Sequence, residues 1–213
     1  IQKMLEDYRQ GEDFTLSQKP LRSLLADVED KANTDYVFIG QNIFLDSDSH
    51  TALVELLEEG GNVFIASLTP PADVISSIYY PECDSLVSVK DNFADTVRFN
   101  FFHEDLRHST GYDFAYRFGA DARKYYWNYF DEALFCDSTA LITPLGYQDD
   151  GKVNFIRISA GKGSLYLHSN PLVFTNYFLA KEENVSYASA VFSHLDGKQI
   201  IWDEYSKIPF AGN

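Results

Sequence analysis

The sequence predicts an α/β fold with a β-rich aromatic layer in its middle, and three observations predict it. Two short apolar runs, YVFIG (36–40) and NVFIAS (62–67), flank an amphipathic helical segment. Residues 85–137 switch to mixtures of aromatic and polar residues with period two. From about 138 to 206 apolar strands and helical patterns return. A length of 213 residues fits one large domain, read here as 1–213. Its α/β core lies at about 15–80 and 138–206, and its β-rich insertion at about 85–137.

Taken in order, residues 1–13 are polar with no apolar period and read as a lead-in. Pro20 opens a helical pattern in PLRSLLADVEDK, with Leu21, Leu24, Leu25 and Val28 on one stripe. YVFIG is a buried strand. DSDS (46–49) supplies helix caps, and HTALVELLEE follows with Ala52, Leu53, Leu56 and Leu57 on one face. Gly60 and Gly61 end that helix before the strand NVFIAS. Strand, helix, strand in this order is the parallel βαβ unit with a right-handed crossover.

In the middle region, Tyr112, Phe114, Tyr116 and Phe118 point one way, and Asp113, Ala115 and Arg117 the other. That alternation is an antiparallel strand with one aromatic face. TALITPLGY and VNFIRIS are strands joined by a turn at Gln148-Asp149-Asp150-Gly151. Gly161-Lys162-Gly163 turns the chain into SLYLHS. Helical patterns follow at 174–181 and 185–195, and QIIWDEY (199–205) is a last strand.

Hydrophobic residues make up 45% and aromatic residues 15%, which excludes a disordered chain. With 17 basic and 32 acidic residues the net charge is −15. Such a surface repels a nucleic-acid backbone and an anionic membrane, so neither is expected as a direct partner. No run of about 18 apolar residues is present, and no signal peptide is visible. The first residue is Ile1 rather than Met, so the sequence is expected to be a trimmed piece, and what precedes it has room for a signal or an anchor. Two cysteines, Cys83 and Cys136, leave open one bridge or two buried thiols.

The motifs that resemble catalytic or metal sites mostly dissolve on inspection. Ser67 ends a strand, yet it lacks the small flanking residues of a nucleophile elbow. His103 and His108 are five apart, about 140° out of line on a helix, so HEDLRH does not place two ligands on one metal. Asp46-Ser47-Asp48-Ser49-His50 alternates oxygen ligands, but Thr51 and Leu57 stand where a calcium loop needs Gly and Glu. Gly161-Lys162-Gly163 leads into a strand instead of a phosphate-binding helix. Asp203 and Glu204 point to opposite faces of a strand, which prevents them from acting as a paired acid and base. Acidic neighbours of Cys83 and Cys136 oppose a reactive thiolate. No catalytic residue, cofactor or metal is therefore assigned. What remains is His168-Ser169-Asn170-Pro171 with Thr175-Asn176, at the end of the strand SLYLHS. Ligands of open α/β sheets bind beyond strand carboxyl ends, so His168, Asn170 and Asn176 are the candidate ligand-binding residues.

NTDYVFIGQNIFLD, EEGGNVFIAS, GKGSLYLHSNPLVFTNYFL and IIWDEY, in this order, resemble the bacterial domain-of-unknown-function family 4350. The resemblance spans most of residues 15–206. It implies a flavodoxin-like fold related to class I glutamine amidotransferases: a mostly parallel sheet with helices on both faces. It also implies an extracytoplasmic (periplasmic) domain, anchored in a bacterial membrane by segments outside this chain, with protein partners in the cell envelope. Amidotransferases use a cysteine elbow and a later histidine and glutamate. Here the elbow is missing and Asn170 stands where a carboxylate is expected.

Three functional readings result. The first is a non-catalytic binding or scaffolding module with a degenerate amidotransferase-like fold. The second is a hydrolase or transferase built around His168. The third is a carbohydrate-binding surface on the aromatic strands.

Overall fold

A computed structural model describes residues 2–3, 14–79, 87–118, 121–136, 141–149 and 151–209. Cys83 and the side chain of Cys136 fall outside these residues, and with them the question of a bridge.

The predicted βαβ unit forms as read. β2 (Thr34–Ile39) and β3 (Asn62–Ala66) pair in parallel, with Tyr36 opposite Val63 and Phe38 opposite Ile65. Between them runs α2 (Ser47–Glu59), whose Asp46 cap accepts a hydrogen bond from the Ser49 amide at 2.7 Å. Gly60 ends the helix at φ 112, a left-handed value that glycine adopts at no steric cost. The shorter α1 (Leu21–Leu25) and α3 (Ala72–Ile78) flank it. The stripe read through residue 31 thus stops being helical after its first turns.

β2 and β3 sit in a nine-stranded sheet. One side carries β13 (Gln199–Asp203) and the edge strand β1 (Phe14–Ser17), both parallel. On the other side β12 (Gly163–His168) pairs in parallel with β3. Beyond it β11 (Lys152–Ala160), β10 (Ile142–Gln148), β5 (Thr96–Phe101) and β6 (Tyr112–Ala115) are antiparallel.

This arrangement overturns the expected flavodoxin-like, amidotransferase-like fold. The sheet is mixed and strand-rich, not mostly parallel. Its antiparallel half has tight turns where a doubly wound fold has crossover helices. A connection of two or three residues joins only antiparallel neighbours, so the turns at Asp149–Gly151 and Gly161–Lys162 dictate the switch. Among the described residues only α2 and α5 (Glu182–Phe192) exceed seven residues; α4 (Asn176–Leu179) is one turn. Two helices of that length are not the helical layers on both faces of a doubly wound sheet. Two strands of the aromatic middle, β5 and β6, extend the main sheet itself.

The core forms two clusters on opposite faces of the sheet, as the strand alternation requires. Val37, Phe64, Phe155 and Tyr166 join Phe178 of α4 and Tyr187 and Val191 of α5. Tyr36, Phe38, Ile65 and Leu167 join Leu21, Leu53 and Val74 of α1, α2 and α3. The alternation read in 112–118 holds for Tyr112 and Phe114, which are buried, while Asp113 is exposed.

A separate two-stranded ribbon, β4 (Val89–Ala94) with β9 (Tyr125–Phe130), decides where a site can lie; the short pair β7 (Arg117–Phe118) and β8 (Asp121–Ala122) precedes β9 in the chain. Trp127 of β9 belongs to one core cluster and Phe130 to the other. β9 therefore passes across the end of the sheet from one face to the other. Its backbone meets Gln148 at the end of β10 and Ser169 and Asn170 just past β12.

Candidate functional site

β12 is buried from Leu165 onward, and its last residue, His168, lies beneath this ribbon. His168 is 1% exposed and enclosed by the rings of Phe99, Phe155 and Phe174. Its Nδ1 accepts the backbone N–H of Asn170 at 3.1 Å, and its Nε2 lies 2.8 Å from the Tyr187 hydroxyl. An amide N–H only donates, so Nδ1 carries no proton and the neutral ring is the Nε2–H tautomer. Burial pushes the ring pKa down to about 3. Burial likewise holds the Tyr187 hydroxyl above the ordinary tyrosine range.

Asn170 is also 1% exposed and acts as a two-pronged clamp. Its Oδ1 accepts the Asn128 N–H at 2.8 Å and its Nδ2 donates to the Asn128 carbonyl at 2.7 Å. One amide side chain thus stands in for a neighbouring strand beside β9. Gln148 Nε2 and Ser169 Oγ donate to the same carbonyl at 3.0 and 2.7 Å. The structure brings His168 and Asn170 together but leaves Asn176 exposed, at the start of α4. His168 and Asn170 spend their polar atoms on the protein, holding the ribbon down.

Ser67 is buried and donates to the Thr69 carbonyl at 2.7 Å. Asp203 is buried at the end of β13; it takes the Tyr36 hydroxyl at 2.5 Å and the amides of Tyr205 and Ser206. Glu204 instead accepts from Trp202 Nε1 and pairs with Lys207. His103 and His108 lie on exposed loop. No cluster of three or more metal-ligating side chains occurs among the described residues. No described helix is long and apolar enough to cross a membrane.

On the aromatic strands, Phe93 and Tyr126 are 53% and 55% exposed across the β4–β9 ribbon. Their rings lean on each other at 4.7 Å and 31°, so they make a tilted pair and not a flat platform. Lys124 lies over Phe93 at 5.5 Å.

Where the ribbon does not reach, the strand ends stay open. The chain leaves β2 through residues 40–46 and β3 through residues 67–71, and the two loops diverge. Between them is a crevice of about 420 Å³. Ile43, Phe44 and Leu45 form one wall, and Pro70, Pro71 and Val74 the other. Asn42, His50, Thr69 and Asp73 add polar groups. The Phe44 amide donates to the Ser206 carbonyl at 2.8 Å and pins the first loop. The Leu68 amide reaches the Gln41 carbonyl at 2.9 Å and ties the loops together at their base. His50, on α2, lies 3.1 Å from the Asp73 carbonyl and 3.2 Å from the Ser77 hydroxyl, which fixes α3 against α2. Sequence reading missed this site. Its one legible signal is Thr69-Pro70-Pro71 after an apolar strand, a run that by itself only ends the strand.

The fold is thus a mixed, strand-rich sheet with an apolar crevice outside two parallel strand ends. The chain belongs to the family described as Domain of unknown function (DUF4350), whose model matches residues 1–192. No curated protein matches it. Among solved structures, the "mmIFT52 N-terminal domain" is similar at 12% identity with a TM-score of 0.55, over 91% of this chain and 89% of that one. That is a likeness of fold. Two others are fainter, each at 12% identity. "Cytoplasmic Protein STM1381 from Salmonella typhimurium LT2" has a TM-score of 0.49, over 91% of this chain and 86% of that one. "Exo-beta-1,4-mannosidase Op5Man5 from Opitutaceae bacterium strain TAV5" has 0.42, over 77% of this chain and 25% of that one.

Proposed function

We propose that this chain is a non-catalytic binding module that takes its ligand in the crevice between residues 42–45 and 69–74. The observation that carries the reading is the crevice itself. Its volume of about 420 Å³ falls within the ~300–1,000 Å³ usual for binding sites. It lies outside strand carboxyl ends and has apolar walls with a few polar groups. The neighbouring strand end, where an enzyme built on His168 would need access, is filled by Trp127 and the Asn170 clamp. A fragment screen followed by amide NMR tests the proposal. Shifts should cluster at residues 42–45 and 69–74 and vanish in Ala72→Trp, which narrows the crevice. Shifts gathered elsewhere, or unchanged by that substitution, overturn it.

The same proposal places the module on the extracytoplasmic face of a bacterial membrane, anchored by segments outside these residues and docking protein partners of the cell envelope. The resemblance to a membrane-anchored bacterial family supports this. Protease added to intact spheroplasts should digest the domain in the full-length protein; complete protection would refute that location.

A second reading, carbohydrate docking, is favoured by one observation, the exposure of Phe93 and Tyr126. Oligosaccharide titration should then quench Tyr126 fluorescence in a way that Phe93→Ala removes.

A further inference from the structure

We infer that the crevice accepts an extended peptide segment of a partner protein, one that presents an apolar residue next to a lysine or arginine. The inference rests on the binding-module reading and narrows it.

Size is the first argument. About 420 Å³ between Ile43, Phe44 and Leu45 on one side and Pro70, Pro71 and Val74 on the other has room for one or two apolar side chains. It is at the small end for a dinucleotide or other large cofactor. Charge is the second. No lysine or arginine lines the crevice, whereas Asp73 does. The Asp73 carboxylate is exposed and has no ion-pair or hydrogen-bond partner among the described residues. Asp48 stands on the first turn of α2 beside the same loop, exposed and likewise unpaired. A chain with net charge −15 adds a long-range field of the same sign. An anionic ligand is repelled at every scale, and a cationic flank is drawn in.

The backbone supplies the third argument. In the first loop the Phe44 amide is used by Ser206, but the amides of Asn42, Ile43 and Leu45 have no partner among the described residues. These donors belong to residues that line the trough, and extended peptides are recognised by main-chain hydrogen bonds with side-chain pockets alongside. A purely apolar small molecule would use the trough and leave these donors idle.

The test is fluorescence anisotropy on the whole chain with three labelled octapeptides. Their central residue is Leu flanked by Lys, Leu flanked by Glu, or Gly flanked by Lys. The Leu–Lys peptide should bind at least about tenfold more tightly than the Gly–Lys peptide, because the buried side chain supplies the affinity. It should also bind more tightly than the Leu–Glu peptide. Asp73→Asn should weaken the Leu–Lys peptide about two- to fivefold and flatten its salt dependence, as for a rim charge. Ala72→Trp should abolish binding while the amide NMR spectrum stays native. Equal binding of the Lys- and Glu-flanked peptides, or binding indifferent to Ala72→Trp, overturns the inference. Fragments that shift crevice resonances while none of the peptides bind would sink the peptide class and leave the module reading standing. If neither fragments nor peptides reach the crevice, both fall.

Discussion

His168 Nε2 and the Tyr187 hydroxyl lie 2.8 Å apart, and this contact joins the end of β12 to the middle of α5. Since Nδ1 already accepts the Asn170 amide, protonating the ring would set two N–H groups against each other inside an apolar shell.

The pH dependence follows. The folded-state pKa of His168 is lowered from 6.5 to about 3, so its stabilising contribution is complete above about pH 6.5. It is lost as the pH falls from there towards 3, because the unfolded chain takes up a proton that the folded chain refuses. The slope is about 1.4 kcal/mol per pH unit for one such group. His194, lowered by burial and then by the charges of Arg157 and His103, contributes in the same sense. Urea unfolding from about pH 7.5 to 5 should show this loss, and His168→Gln should show a shallower one. Equal slopes in the two proteins would count against it.

The Asn170 clamp predicts an unusual ranking. Asn170→Ala removes both bonds to Asn128 and should cost about 2–4 kcal/mol in chemical denaturation. Asn170→Asp should be at least as damaging, because a carboxylate cannot donate to the Asn128 carbonyl and buries a charge. A mild Asn170→Asp would show that the clamp does not hold the ribbon.

Tyr36 is fully buried and gives Asp203 one of its three hydrogen bonds. Burial first, and then the Asp203 charge, keep its hydroxyl protonated far above the usual range, so it donates at any accessible pH. Tyr36→Phe should lower stability by about 1–3 kcal/mol, the cost of stripping one donor from a buried carboxylate. Thermal melts near neutral pH check this.

Gly163 opens β12 where the turn from β11 meets the end of α2. A Cβ there would overlap the Gly61 carbonyl oxygen, a backbone atom with nowhere to go. Gly163→Ala should therefore destabilise by about 1–3 kcal/mol through overpacking. A change near zero in the unfolding midpoint would show that the turn can back away.

Much of the local structure was legible in the residues. Buried runs, an amphipathic stripe and an aspartate cap announce β2, α2 and β3, because burial on both faces and helical period leave marks within a dozen residues. The Asp149–Gly151 and Gly161–Lys162 turns likewise encode antiparallel pairing, although the family resemblance pointed to a mostly parallel sheet. The family itself was legible, in the order of its segments. What tertiary structure alone decided is which strand end stays open. His168 and Asn170 stand at a strand end in sequence, and nothing near them in the chain reveals that β9, some forty residues earlier, lies across it. Trp127 and the Asn128 backbone close that end, and the crevice survives beside it between residues 42–45 and 69–74. Local patterns record what each segment does with its own neighbours. Access to a site depends on which distant segment buries its aromatic residues there, and that follows only from packing the whole chain.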